Sequence, residues 1–179
     1  GNLSITATTG NITQGVALAV TGTSTFITGA TGSNIILDHA DNAFSSWVKM
    51  EADDGSEAFG DITFVDSGAV VIQTSAATDA DGELLIDAGT DGAVGGNLSI
   101  TATTGNITQG VALTVTGTSS FTTSASNATI TLDQANAFNG AVSLNTQGSS
   151  GNATVVDASG LDFGASAVGG NLVATATTG

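Results

Sequence analysis

Residues 1–18 read GNLSITATTGNITQGVAL, and residues 96–113 repeat the same letters. The first difference between the two copies is Ala19 against Thr114, and a third copy begins at Asn171. Such repetition is typical of stacked architectures, in which each unit buries its apolar face against its neighbours. Repeats describe a scaffold more than a site, so they predict the architecture better than they predict a ligand.

The composition is acidic but not that of a disordered chain. Among 179 residues there are 16 Asp and Glu against one Lys and no Arg, which gives a net charge of −15. Because phosphate backbones are bound by clustered Lys and Arg, we expect no nucleic-acid partner. Only 9% of residues are charged and 40% are apolar, which favours a folded chain. No apolar run approaches the roughly 18 residues of a membrane helix, so we expect no membrane insertion.

Apolar residues alternate with polar ones over short stretches, and Gly, Asn and Ser clusters separate these stretches. Alternation with period two predicts half-buried strands, and the clusters predict turns. No long helical period is present, so we predict an all-β chain. The clearest alternating sets are Leu98, Ile100 and Ala102; Leu113 and Val115; Ile130 and Leu132; Val142 and Leu144.

The two complete copies differ in length by 21 residues, since the first has 95 residues and the second has 74. Of the extra residues, 17 lie in one place, about residues 67–94. A helical solenoid can gain a whole coil without disturbing the coils on either side. The excess therefore predicts one additional coil of roughly twenty residues.

We predict a right-handed parallel β-helix of about eight or nine coils, because parallel crossovers are nearly always right-handed. It would be a single solenoid over residues 1–179, built of repeats 2–96 and 97–170 and a truncated copy at 171–179. The ends share one phase of the repeat, so we expect an excerpt of a longer polypeptide or a unit that stacks end to end. An antiparallel sandwich array is the alternative fold.

Asparagine recurs at equivalent places in the copies. Asn2, Asn97 and Asn171 form one set, and Asn11 and Asn106 form another. We expect each set to occupy equivalent turns, where stacked amides form ladders along the fibre direction.

The phrases GNLSITATTGNITQ and GVALTVTGTSSFTTSASNATITLD resemble the β-helical repeats of large bacterial surface exoproteins of the filamentous-haemagglutinin type. The likeness covers nearly the whole chain and is weakest at residues 52–95. It rests on Gly-Asn starts, Thr-rich alternation and ITLD-type strands, and it includes no catalytic signature. The resemblance implies a secreted, rod-like adhesin stalk at the bacterial cell surface.

Acidic residues are concentrated where the copies diverge, with thirteen of sixteen between Asp38 and Asp91. Calcium takes about six to eight oxygen ligands, and short acidic loops supply several of them. The weak calcium candidates are Asp79, Asp81 and Glu83 in one cluster and Asp53, Asp54 and Glu57 in another. Neither cluster matches an EF-hand or a calcium-binding nonapeptide, so the alternative is a solvated acidic loop.

His39, Trp47 and Lys49 are each the single residue of their type in the chain. Trp47 is a weak candidate for a carbohydrate anchor, and the alternative is that it covers a loop. His39 aligns with Gln134 in the second copy, which favours a surface position. Cleavage of acidic polysaccharides needs cationic side chains beside the substrate, and thiol chemistry needs Cys, but the chain has no Arg and no Cys. We therefore expect no enzymatic activity, and no cofactor other than calcium.

Two further patterns have ordinary explanations. Six N-x-[ST] sequons suggest glycosylation, but Asn at a turn followed by alternating Thr also produces them. Recurrent Thr-x-Thr pairs resemble ice-binding surfaces, but they are irregularly spaced and also follow from β-propensity.

We therefore predict a structural stalk or fibre segment of a secreted, extracellular bacterial adhesin. Its partners would be neighbouring coils of the same polypeptide or identical subunits end to end, with a host or matrix glycan as a further candidate. The alternatives are a carbohydrate- or calcium-binding module and a head-to-tail filament subunit.

Overall fold

The computed structural model describes residues 1–52, 60–73, 83–86 and 93–178. These residues form strands and contain no helix, and none of them belongs to a helix that could span a membrane. The strands are β1 (Leu3–Ala7), β2 (Ile12–Thr13), β3 (Ala19–Val20), β4 (Ser24–Thr28), β5 (Ile35–Leu37), β6 (Ala43–Phe44), β7 (Val48–Ala52), β8 (Ile62–Asp66), β9 (Val70–Gln73), β10 (Glu83–Ile86), β11 (Ala93–Val94), β12 (Leu98–Ala102), β13 (Ile107–Gln109), β14 (Thr114–Val115), β15 (Ser119–Ser126), β16 (Ile130–Phe138), β17 (Val142–Gln147), β18 (Ala153–Asp157) and β19 (Leu172–Ala176).

Two stacks of parallel strands make up the body of the molecule. Sheet 1 runs β1-β4-β7-β10-β9-β13-β16-β18-β19, and sheet 2 runs β2-β5-β8-β12-β15-β17. Short pairs, β3 with β6 and β14 with β11 and the end of β16, line the connections. The predicted parallel β-solenoid is confirmed, with about six turns. Every described strand pair is parallel, so the antiparallel alternative is wrong; the count of eight or nine coils is not confirmed.

One turn of the solenoid takes little more than twenty residues. Contacts from one turn to the next join residues 21 and 23 apart, as at Asn97 with Thr118 and Asn106 with Thr129. In most of the strands whose side chains are described, alternate side chains point into the space between the sheets, whereas β19 is exposed along its length. The inward-pointing side chains form a continuous aliphatic core with two aromatic groups, Phe26, Phe44 and Phe64 in the first copy and Phe121 and Phe138 in the second.

Equivalent strands of successive copies lie in alternate sheets. The LSITA strand of the first copy is β1 in sheet 1, whereas the identical β12 lies in sheet 2, and β19 of the third copy returns to sheet 1. Between β12 and β19 the chain completes three turns on sheet 2, ending at the bridge from Val142 to Phe163, before it crosses over. Each copy therefore spans a whole number of turns plus about half a turn, so the next copy starts in the other sheet.

The extra residues of the first copy differ from the prediction. A whole coil would place one strand in each sheet. Instead, β10 enters sheet 1 between β7 and β9, while β8 of sheet 2 pairs directly with both β5 and β12. Within the described residues, the insertion thus contributes to one sheet only.

Asparagine side chains connect successive turns, as the recurrent positions predict, but by a different bond. Each side-chain oxygen accepts a hydrogen bond from a backbone N–H of the next turn, so the ladder is not built from amide to amide. One ladder follows Asn11, Asn34, Asp61, Asn97 and Thr118, with oxygen–nitrogen distances of 2.7–2.9 Å. Asn2 bonds to Thr23 and Asn171 to Asn152, so the three equivalent Asn residues lie at different places, because the copies alternate between sheets.

Candidate functional site

The most distinctive polar feature of the described chain is a pair of side-chain columns, one in each copy, whose members are buried except for the half-buried Gln14. The first column is Gln14, Asn42 and Asp66, and the second is Gln109, Asn136 and Asp157. Both asparagines are fully buried, and both aspartates are at most 2% exposed. Buried amides and carboxyls are costly unless they are hydrogen-bonded, so their partners decide what the columns do.

The central Asn of each column is fully bonded. Asn136 and Gln109 exchange reciprocal amide hydrogen bonds of 2.8 and 2.9 Å. The Asn136 oxygen also accepts from the Leu113 N–H at 2.8 Å, and its nitrogen donates to the Val156 carbonyl at 2.9 Å. The column thereby joins three successive turns through one side chain.

Asn42 makes the same set of contacts in the first copy. It exchanges amide hydrogen bonds of 2.7 and 2.9 Å with Gln14, accepts from the Leu18 N–H at 2.9 Å and donates to the Val65 carbonyl at 3.1 Å. Two independent repeats of the sequence therefore build the same network, which marks it as a property of the repeat.

Asp66 ends the first column beside a surface pocket lined by residues 43–45 and 66–69. Its Oδ1 accepts from the Ser67 N–H at 2.9 Å and the Phe44 N–H at 3.3 Å. Burial raises the pKa of Asp66 above its usual value of 3.8, although backbone hydrogen bonds from Phe44, Ser67 and Gly68 act in the opposite direction.

Asp157 occupies the equivalent place in the second copy but is bonded differently. Its Oδ1 accepts from both the N–H and the hydroxyl of Ser159, each at 2.9 Å. Its Oδ2 is buried and has no hydrogen-bond partner in the structure. The next copy covers both aspartates in the same way, since Thr103 donates its N–H to the Asp66 carbonyl and Thr177 does so to the Asp157 carbonyl, each at 2.9 Å. The columns therefore mark the junctions between copies.

The calcium candidates fall outside this description. Asp53, Asp54, Glu57, Asp79 and Asp81 lie outside the described residues, and of Glu83 only the backbone, at the start of β10, is described. Among the residues that the structure describes, no group of three or more His, Asp or Glu could hold a metal ion. Calcium binding stays a prediction.

The single-occurrence residues do not join the columns. Trp47 is half-buried beside β7, and its carbonyl accepts from the Ser24 N–H at 3.0 Å. His39 is half-buried, and its Nδ1 accepts from the Asp41 N–H at 3.2 Å. Lys49 pairs with Glu51 at 3.1 Å along the same strand. A glycan contact through Trp47 stays a prediction.

Reasoning from the sequence missed the columns, although a signal was present. The triplet Asn-Ala-Phe occurs at Asn42 and again at Asn136, inside a stretch where the copies otherwise diverge. The same polar residue near the same aromatic residue in both copies indicated that this Asn is buried and hydrogen-bonded.

Comparison with known proteins gives one match. Residues 1–51 and 60–145 match the family described as repeats of unknown function (DUF5649). No curated protein and no solved structure matches the chain. The match supports the repeat architecture and does not test the filamentous-haemagglutinin resemblance, which stays a prediction. Because the matched residues make up well over half of its length, the chain belongs to this family of repeats.

Proposed function

We propose that this chain is a structural stalk or fibre segment of a secreted bacterial cell-surface exoprotein of the adhesin kind. The observation that carries the proposal is the unbroken sheet 1, in which nine parallel strands follow one another from β1 to β19. At about 4.8 Å for each turn, the roughly six turns of the solenoid span about 30 Å. A continuous backbone ladder of this length resists bending and stretching along its axis.

The side chains support the same mechanical role. The Asn ladders and the two buried columns connect each turn to the next, so successive turns are joined by side chains as well as by backbone. We further propose that the coil winds right-handed, because parallel crossover connections are nearly always of that hand. The acidic composition keeps such a rod soluble at high local density.

Small-angle scattering of a length series tests the rod. The series compares the chain with a variant in which residues 97–170 are duplicated in tandem. We expect an unchanged cross-section and an increase in length of about 17 Å, which is three and a half turns at about 4.8 Å each. An increase in cross-section without an increase in length would contradict the rod.

Immunogold labelling of the native source with antibodies against this chain tests the location. We expect label on extracellular fibres or on the outer surface of intact cells. Label confined to the interior of sectioned cells would contradict the surface role and would leave the scattering result intact.

A further inference from the structure

The stability of an asparagine side chain depends on the residue that follows it. The backbone nitrogen of that residue can attack the side-chain amide carbon, and glycine hinders the attack least because it has no Cβ. Of the twelve asparagines in the chain, Asn139 alone is followed by a glycine, Gly140. The fold imposes a second condition, since a backbone N–H that donates a hydrogen bond is held away from this attack.

The second condition separates Asn139 from nearly all other asparagines. After ten of the twelve asparagines, the N–H of the next residue donates to a backbone carbonyl. These donors are Leu3, Ile12, Ile35, Ala43, Leu98, Ile107, Ala128, Ala137, Thr146 and Ala153. The Gly140 N–H donates no hydrogen bond to any described residue. The other exception is Leu172 after Asn171, where a branched side chain hinders the attack.

The Asn139 side chain is also free to turn towards Gly140. Nine other asparagines use their side-chain oxygen to accept hydrogen bonds within the chain. Asn139 is exposed, and its side chain makes no hydrogen bond to any described residue. The equivalent residues of the first copy are Ser45 and Ser46, which have no amide to lose. The susceptible pair therefore belongs to the second copy alone.

We propose that Asn139 is a site of spontaneous deamidation and the first asparagine at which the folded chain ages. The Gly140 nitrogen bonds to Cγ of Asn139, the bond from Cγ to the amide nitrogen breaks, and ammonia leaves with the proton that Gly140 gives up. Water then opens the resulting succinimide ring. Opening at the side-chain carbonyl gives aspartate, and opening at the backbone carbonyl gives isoaspartate, whose main chain is longer by one carbon.

Isoaspartate would disturb a corner at which successive turns lie in close contact. The Asn139 N–H donates to the Val115 carbonyl of the preceding turn at 2.9 Å. On the other side of the same peptide bond, a Cβ added at Gly140 would collide with the Gly117 carbonyl. A main chain longer by one carbon would displace one of these contacts, so we expect the isoaspartate form to be less stable.

Mass spectrometry of the aged chain tests the site. The folded protein is incubated in mildly alkaline buffer, then unfolded and cleaved before aspartate, which gives a fragment of residues 133–156 that holds Asn139 and three other asparagines. We expect the mass increase from replacement of NH2 by OH at Asn139 before the other three. In Asn139→Ser, which introduces the residue of the first copy, the fragment should keep its mass. Equal deamidation of the four asparagines, or an intact Asn139 after the unfolded chain has reacted, would overturn the inference.

The variant Ala128→Gly separates the effect of the fold from that of the dipeptide. It creates a second Asn-Gly pair at Asn127, which is exposed like Asn139. There, however, the N–H of residue 128 donates to the Ala125 carbonyl, and the Asn127 oxygen accepts from the Ser150 N–H at 3.0 Å. Once circular dichroism shows that the variant is folded, we expect Asn139 to react and Asn127 to persist, whereas both should react in concentrated urea. Equal reaction of both in the folded variant would overturn the role of the free N–H.

Thermal unfolding tests the effect on the corner. The isoaspartate form, purified by chromatography, is compared with Asn139→Asp, which has the same charge and an ordinary main chain. We expect a lower midpoint for the isoaspartate form, because only this form lengthens the main chain between neighbouring turns. Equal midpoints would overturn the proposed disturbance of the corner.

Discussion

Asn42 and Asn136 are the residues on which the interior of the solenoid depends most specifically. An amide in an apolar core destabilises the fold unless its donors and acceptors are all used, and here each amide bonds to a Gln of the preceding turn and to a carbonyl of the following one. Such a side chain also specifies register, because a turn that slips by one residue would leave the amide unpaired.

Replacing Asn136 with Ala should lower the free energy of unfolding by about 3 kcal/mol, since it removes both hydrogen bonds between Asn136 and Gln109 and leaves the buried Leu113 N–H without its acceptor. The measurement is urea denaturation followed by circular dichroism. The matched control is Asn139→Ala, three residues away and exposed, which should change stability by less than about 0.5 kcal/mol. Equal losses in the two variants would contradict the role of the column.

Asp66 should make stability depend on pH in an unusual direction. Because burial raises its pKa in the folded protein above the usual 3.8, the folded state keeps the proton at pH values where the unfolded chain releases it. The free energy of unfolding should therefore increase as the pH falls from neutral towards 3.8, and this gain should be smaller in Asp66→Asn.

The control for this titration must remove the same charge elsewhere, because acidification also relieves repulsion in a chain of net charge −15. Asp133→Asn removes an exposed carboxylate and should keep the gain of the parent chain. Thermal unfolding of the three proteins between pH 4 and 7 makes the comparison. If stability increases equally on acidification in the parent chain and both variants, the effect comes from net charge alone and not from Asp66.

At the scale of the strands and their connections, glycines permit the close approach of neighbouring turns. A Cβ added at Gly96, Gly117 or Gly140 would collide with the carbonyl of the glycine one turn before, which is Gly60, Gly96 or Gly117 respectively. The three collisions form one column beside the Asn ladder, so the spacing of this corner depends on the absence of side chains.

Gly117→Ala should therefore destabilise the protein by about 1–3 kcal/mol, because the new methyl group would lie 2.6 Å from the Gly96 oxygen and the turns would have to separate. Gly160→Ala is the matched control, since a Cβ there meets no atom within 4 Å. Thermal denaturation of both variants measures the difference. If both variants unfold at a similar temperature, neighbouring turns can separate at this glycine column without destabilising the protein.

At the scale of the whole molecule, the rod and the calcium-binding alternative differ in their response to the ion. For the rod we expect the same thermal midpoint with calcium and with chelator. A site filled a hundredfold above its dissociation constant would add about 2.7 kcal/mol, which is several degrees for a chain of this size. If calcium does raise the thermal midpoint, the double variant Asp79→Asn with Asp81→Asn should abolish that increase. Loss of the increase in this variant would establish the calcium-binding alternative.

The predicted elements and the observed ones agree where the information is local. Alternation in LSITA and ITLD predicts strands, and repetition predicts stacking, because both follow from the side-chain period of a strand and from the need of each unit to cover its apolar face. The observed length of a turn is close to the predicted twenty residues, although the extra residues from which it was predicted do not place a strand in each sheet.

The class of fold, the parallel stacking of the strands and the approximate length of a turn could be predicted from the amino-acid sequence. The sheet that each strand joins could not, since it depends on the sum of all preceding connections, and these place the identical strands β1 and β12 in different sheets. The tertiary structure decided this, and it also decided the buried columns, because Gln109 and Asn136 are 27 residues apart and become partners only when turns stack. The physical reason is the same in both cases: strand formation is a local property, whereas register between turns is set by packing over the whole solenoid.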